Sequence, residues 1–110
     1  MARRHESSTD VERWFRTQTA DLWPVALGSL SFRKSPCIRD RCEACARGDQ
    51  HVSAVLYLRV KGRRIGLYIP DDLVPQIQRA LENGRALLEL LYDTGRRYTT
   101  AIKQERRSTR

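Results

Sequence analysis

The chain lacks several features that would assign it quickly to a functional class. Its three cysteines are an odd number, which excludes a complete set of intrachain disulfides. No apolar run approaches the roughly 20 residues of a membrane-spanning helix. The opening Met1-Ala2-Arg3-Arg4-His5-Glu6 leads into polar residues, where a secretory signal would turn apolar. There are two histidines, His5 and His51, and neither a glycine-rich phosphate loop nor a nucleophile constellation. The one carboxylate pair, Asp71-Asp72, is explained as a helix start. No repeat or low-complexity tract occurs. An enzyme, a disulfide scaffold and a membrane protein are therefore not expected. The expectation is a small, soluble, cytoplasmic domain, and 110 residues fit one.

Basic charge is abundant. The 21 Lys and Arg outnumber 13 Asp and Glu, for a net charge of +8, and only Lys34, Lys61 and Lys103 of the basic residues are Lys. The excess is uneven: residues 1–32 are balanced, 33–64 carry +6, 65–93 carry −3 and 94–110 carry +5. Two basic blocks thus flank an acidic segment, and concentrated charge of this kind attracts polyanions. The planar Arg fork suits phosphate and guanine edges. A surface of ordinarily solvated arginines is the plainer alternative.

The elements follow from spacing. Thr9 and Glu12 have capping-box separation, and Val11, Trp14, Phe15, Gln18 and Leu22 recur at helical intervals, predicting a helix from about Asp10 to Trp23. Trp14, Phe15 and Trp23 are expected in the core. An irregular segment is expected from Gly28 to about Val52, because it holds few aliphatic residues. Val55–Val60 and Arg64–Ile69, joined by Lys61-Gly62-Arg63, read as a β-hairpin. Alternation puts Leu56, Leu58, Val60, Ile65, Leu67 and Ile69 on one face and Tyr57, Arg59, Arg64 and Tyr68 on the other. Pro70-Asp71-Asp72 then starts a long helix whose stripe runs through Leu73, Ile77, Ala80, Leu81, Leu88, Leu91, Tyr98 and Ile102. A break at Gly84 or Gly95 is conceivable, since glycine weakens a helix interior. The fold class expected is α+β: N-terminal helix, zinc-bound cysteine loop, β-hairpin and long C-terminal helix. Residues 1–8 are expected to form a disordered tail, 9–105 the domain and 106–110 a basic tail.

Cys37, Cys42, Cys45 and His51 follow the pattern C-x4-C-x2-C-x5-H. Zinc takes four tetrahedral ligands from Cys and His. The C-x2-C pair can place two thiolates on one ion, and Cys37 and His51 can close the site from either side. Three thiolates, a neutral imidazole and Zn²⁺ leave one negative charge, and Arg33, Lys34, Arg39, Arg41 and Arg47 nearby in sequence favour thiolates. Four ligands leave no open position, so one structural Zn²⁺ per chain is expected. Ordinary cysteines beside a surface histidine, a Cys42/Cys45 redox pair, or an iron–sulfur site are the competing readings. The redox pair lacks the βαβ context usual for it.

These residues, with Gly28-Ser29-Leu30, Ala46-Arg47-Gly48, Tyr57-Leu58, Gly62-Arg63, Tyr68-Ile69-Pro70, Leu73, Asn83 and Arg85, resemble an uncharacterised family of small bacterial proteins, a domain of unknown function. The resemblance covers about residues 25–92. It implies a zinc-ribbon-like cysteine loop, a hairpin and a long helix, and a position near transposase or integrase genes. Two features depart from the family pattern. Cys42 and Cys45 enclose two residues where one is usual, and His51 precedes Val52-Ser53-Ala54 where Gly-Pro and an aromatic are usual.

Two functions are expected from these features. The first is binding of nucleic acid, DNA ahead of RNA, through Arg39, Arg41, Tyr57, Arg59, Arg63, Arg64 and Tyr68, with Arg96, Arg97, Arg106 and Arg107 as a second contact. The tail arginines could equally serve the helix dipole. The second is a protein adaptor or homodimer acting through the C-terminal helix, where Leu87 and Leu90 beside Leu88 and Leu91 widen the apolar stripe.

Overall fold

The computed structural model describes residues 5–35 and 51–108. It is α+β: helix α1 (Ser8–Thr19), strands β1 (Ser29–Ser35), β2 (His51–Val60) and β3 (Arg63–Ile69), a 3-10 turn (Asp71–Leu73) and helix α2 (Val74–Ser108). The strands form one antiparallel sheet in the order β1-β2-β3. Two compact units are distinguished, Met1–Val25 with Glu82–Arg110, and Ala26–Leu81.

In the first unit, α1 starts earlier than Thr9 and Glu12 predict. Ser7 is the N-cap: its hydroxyl accepts from the Asp10 N–H at 3.0 Å, and the Asp10 carboxylate accepts from the Ser7 N–H at 3.1 Å. Two capping boxes overlap in Ser7-Ser8-Thr9-Asp10-Val11-Glu12, and the first one forms, leaving Glu12 to pair with Arg16 one turn on at 3.0 Å. Residues 6–8, assigned by sequence to the tail, are therefore part of the folded unit. The helix also stops at Thr19, whose hydroxyl donates back to the Phe15 carbonyl at 3.0 Å. Trp23 lies beyond that end and is 78% exposed, so it is not a core residue as expected. Val11 and Ala101 are buried in this unit. The Asn83 carboxamide donates to the Pro24 carbonyl at 2.8 Å.

In the second unit, β1 occupies part of the segment expected to be irregular. Leu30 and Phe32 alternate with Ser29, Ser31 and Arg33, and β1 pairs with β2 from Ser29 opposite Tyr57 to Ser35 opposite His51. The hairpin is thus the inner and outer part of a three-stranded sheet. Its turn is two residues, with positive φ at both Lys61 (52°) and Gly62 (80°), the geometry that matches the twist of the flanking strands. One face of the sheet carries Ala54, Leu56 and Ile69, buried with Leu81 and packed by Leu30, Leu58, Val74 and Ile77. That packing covers an otherwise unstable hairpin.

α2 is continuous for 35 residues, with no break at Gly84 or Gly95. The buried stripe differs from the expected one. Ala80, Leu81, Gly84 and Ala101 are buried, whereas Leu73, Leu88, Leu91, Tyr98 and Ile102 are exposed. Leu87 and Leu90, half-buried, take the place expected for Leu88 and Leu91.

Candidate nucleic-acid interface

Strand alternation and register assemble one face of the sheet, the one opposite the core. Ser29, Tyr57 and Gly66 form one cross-strand row, Ser31, Val55 and Tyr68 the next, and Arg59 lies directly opposite Arg64. Arg33 extends the same face on β1, two residues from Ser31. None of the three strands contains an acidic residue. Tyr57, Arg59, Arg64 and Tyr68 therefore share a face as expected.

The detailed contacts assign them different roles. Gly66 has no side chain, and the Tyr57 ring lies across it: a Cβ at Gly66 would sit 3.2 Å from Tyr57 Cε1. The Arg64 guanidinium stands over that ring at 4.4 Å and the Arg33 guanidinium at 5.8 Å. Tyr57 is thus a platform for two cations more than a free stacking surface. Tyr68, 58% exposed, is the open aromatic of the face. Directly opposed like charges such as Arg59 and Arg64 destabilise a strand pair unless an anion lies between or above them. An open groove of about 280 Å³ beside them is lined by Gly28, Ser29, Tyr57, Leu58, Arg59 and Arg64.

The other candidates among the described residues lie on the opposite sheet face or on α2. Arg63 is the register partner of Val60 and belongs to the opposite face of the sheet. Arg96 and Arg97 lie on α2. Arg96 pairs with Asp93 at 2.6 Å on the surface. Arg97 is half-buried: its Nε donates to Glu6 Oε1 at 3.0 Å, a second bond runs from Nη2 to Glu6 Oε2, and the guanidinium stacks on Trp14 at 3.7 Å. The Arg97 hydrogen bond holds the Glu6 carboxyl below its ordinary value, and the same bond raises Arg97. Ser8 acts similarly on Glu105, donating from its N–H at 2.7 Å and its hydroxyl at 2.8 Å and lowering that carboxyl. Arg97 therefore ties α2 to Glu6 and to Trp14 of α1 inside the first unit. Arg106 and Arg107 lie in the last turn of α2.

Cys37, Arg39, Arg41, Cys42 and Cys45 fall outside the described residues. His51 opens β2, and its backbone register partner is Ser35, the last residue of β1. The segment that carries the cysteines is therefore bounded by two adjacent strand ends. Among the described residues no group of three or more His, Cys, Asp or Glu side chains is placed to hold a metal. No helix among them is long and apolar enough to cross a membrane.

Arg33 was missed as a site residue. The signal was present in the alternation of Leu30-Ser31-Phe32-Arg33, two apolar residues separated by one polar residue. Reading that stretch as a strand would have placed Arg33 on one face with Ser29 and Ser31; its backbone lies opposite Ser53, and only its long side chain reaches the Tyr57 ring. Compared with family models, with curated proteins and with solved structures, the chain matches none.

Proposed function

We propose that this protein is a small zinc-stabilised nucleic-acid-binding protein of the cytoplasm, accessory to a mobile element, that binds through the sheet face of Arg33, Tyr57, Arg59, Arg64 and Tyr68. The observation that carries the reading is the convergence of three arginines and two tyrosines on one acid-free sheet face. Arg33 and Arg64, set by the Tyr57 ring, meet phosphates. Tyr68 stacks on a base or packs against a sugar, and the opposed Arg59 and Arg64 are relieved of mutual repulsion by the bound anion. DNA is preferred to RNA as the target.

The zinc belongs to Cys37, Cys42, Cys45 and His51. The pairing of Ser35 with His51 supports closure, because it brings the two ends of the cysteine segment to neighbouring strands. Bound there, the ion supplies structural cross-linking and no reaction, and the protein is not an enzyme. Elemental analysis should return one zinc per chain. The functional test is fluorescence anisotropy of labelled DNA and RNA titrated with the full chain at increasing salt. The logarithm of affinity should fall linearly with the logarithm of salt, with a slope of about −3 for three or so phosphate contacts on duplex DNA. An affinity that does not change with salt overturns the reading.

A further inference from the structure

The first unit leaves one stripe of α2 uncovered. Leu87, Leu90, Thr94, Arg97 and Ala101 are buried or half-buried. One residue further round the helix, Leu88, Leu91, Tyr98 and Ile102 are between 37% and 50% exposed. With Gly95 between them, positions 88, 91, 95, 98 and 102 are spaced 3-4-3-4, the interval of a coiled-coil seam. Beside the seam, between α1 and α2, an apolar groove of about 460 Å³ is lined by Val11, Phe15, Thr94 and Tyr98 among others.

Charge along the helix decides what can lie on this seam. From 82 to 93 the helix carries Glu82, Glu89 and Asp93 against one Arg85. From 94 to 107 it carries Arg96, Arg97, Lys103, Arg106 and Arg107 against one Glu105. A second copy of the same helix laid parallel would set acid on acid and base on base. Laid antiparallel, it sets the acidic half of each helix against the basic half of the other. Side-chain size agrees with that direction. An added Cβ at Gly95 would meet nothing within 4 Å, so the seam has an open notch at its centre. In the antiparallel register that puts Leu91 opposite Ile102 of the second copy, the Tyr98 ring of each copy faces the Gly95 notch of the other.

We propose that α2 forms an antiparallel, two-fold symmetric homodimer through Leu91, Gly95, Tyr98 and Ile102. The interface is isologous, so the same patch serves both copies and closes the assembly at two. This goes beyond the binding reading and stands without it. A dimer carries two basic sheet faces, and a polyanion held at both is retained longer than at one.

The test is sedimentation equilibrium of the full chain over about 1–100 µM at low salt, a range that spans typical weak-dimer dissociation constants. The expected mass is twice 12.8 kDa. Leu91→Lys, at an exposed position that leaves the single chain folded by circular dichroism, should weaken association by about tenfold or more. Gly95→Leu, which fills the notch that receives the Tyr98 ring of the second copy, should weaken it by about tenfold. A wild-type mass of 12.8 kDa throughout the range overturns the proposal. So does a dimer that is indifferent to Leu91→Lys. A dimer that tolerates Gly95→Leu overturns the antiparallel register.

Discussion

At Gly28 the backbone stands at φ 153°, and a Cβ there would meet the Tyr57 carbonyl oxygen at 2.7 Å and Leu56 Cδ1 at 3.1 Å. Backbone cannot yield as a flexible side-chain tip can, so Gly28→Ala must push β1 away from β2 at its first pair. The expected loss is about 1–3 kcal/mol of stability, read as a lower midpoint in urea or thermal unfolding. An unchanged midpoint would show that the strand start shifts freely. Glycine also decides Gly66, where its bare backbone lets the Tyr57 ring lie flat and carry Arg64. Thr94 presents the reverse case: its buried hydroxyl has no hydrogen-bond partner among the described residues. Thr94→Val keeps the shape and removes the unmet polar group, so it should stabilise the chain by roughly 0.5–1 kcal/mol. A lower unfolding midpoint would instead mean that the hydroxyl is bonded in solution. None of these roles is legible in sequence, because each depends on what a distant strand or helix places opposite the residue.

Elements were more legible, to the extent that their signals are local. Alternation over Val55–Val60 and Arg64–Ile69 needs only neighbouring residues, and both the hairpin and its two faces follow from it. The acidic start and helical spacing after Pro70 likewise announce α2. Two errors have physical causes. β1 has only Leu30 and Phe32 as apolar members of its seven residues, and its pairing partner lies beyond the cysteine segment, so nothing local marks it as a strand. The stripe of α2 was mis-phased past Leu81 because two adjacent seams exist. The one through Leu87, Leu90, Thr94, Arg97 and Ala101 is covered, and the more apolar one is not. The join of α1 to α2 has its own consequence for acid stability. Glu6 is held below its ordinary 4.5 chiefly by the Arg97 hydrogen bond, and Glu105 chiefly by the Ser8 backbone N–H. Folding lowers both values, so their stabilisation is complete above 4.5 and is lost as pH falls through the lowered folded values. The thermal midpoint should hold from pH 7 to about 5 and decline below 4.5. Glu105→Gln should make that decline shallower; an identical acid limb would show that the Ser8 contact contributes nothing to it.

For the whole molecule, composition and cysteine spacing were the informative layer, and they bear on class more than on geometry. The charge of +8 is divided by the fold. Arg33, Arg59 and Arg64 gather on the sheet, while Arg96 and Arg97 are paired with Asp93 and Glu6 on α2. Counting basic residues could not make that division, since it depends on which strand face and which carboxylate each one meets. The zinc reading rests on the C-x4-C-x2-C-x5-H spacing, together with the pairing of the strand ends that bound it. The most direct test of the account is a two-dimensional NMR titration of the labelled full chain with a short DNA duplex at low salt. The account predicts shifts clustered at Arg33, Tyr57, Arg59, Arg64 and Tyr68, with the Arg97 side chain unmoved. Shifts confined to α2, or none at saturating DNA, would contradict it.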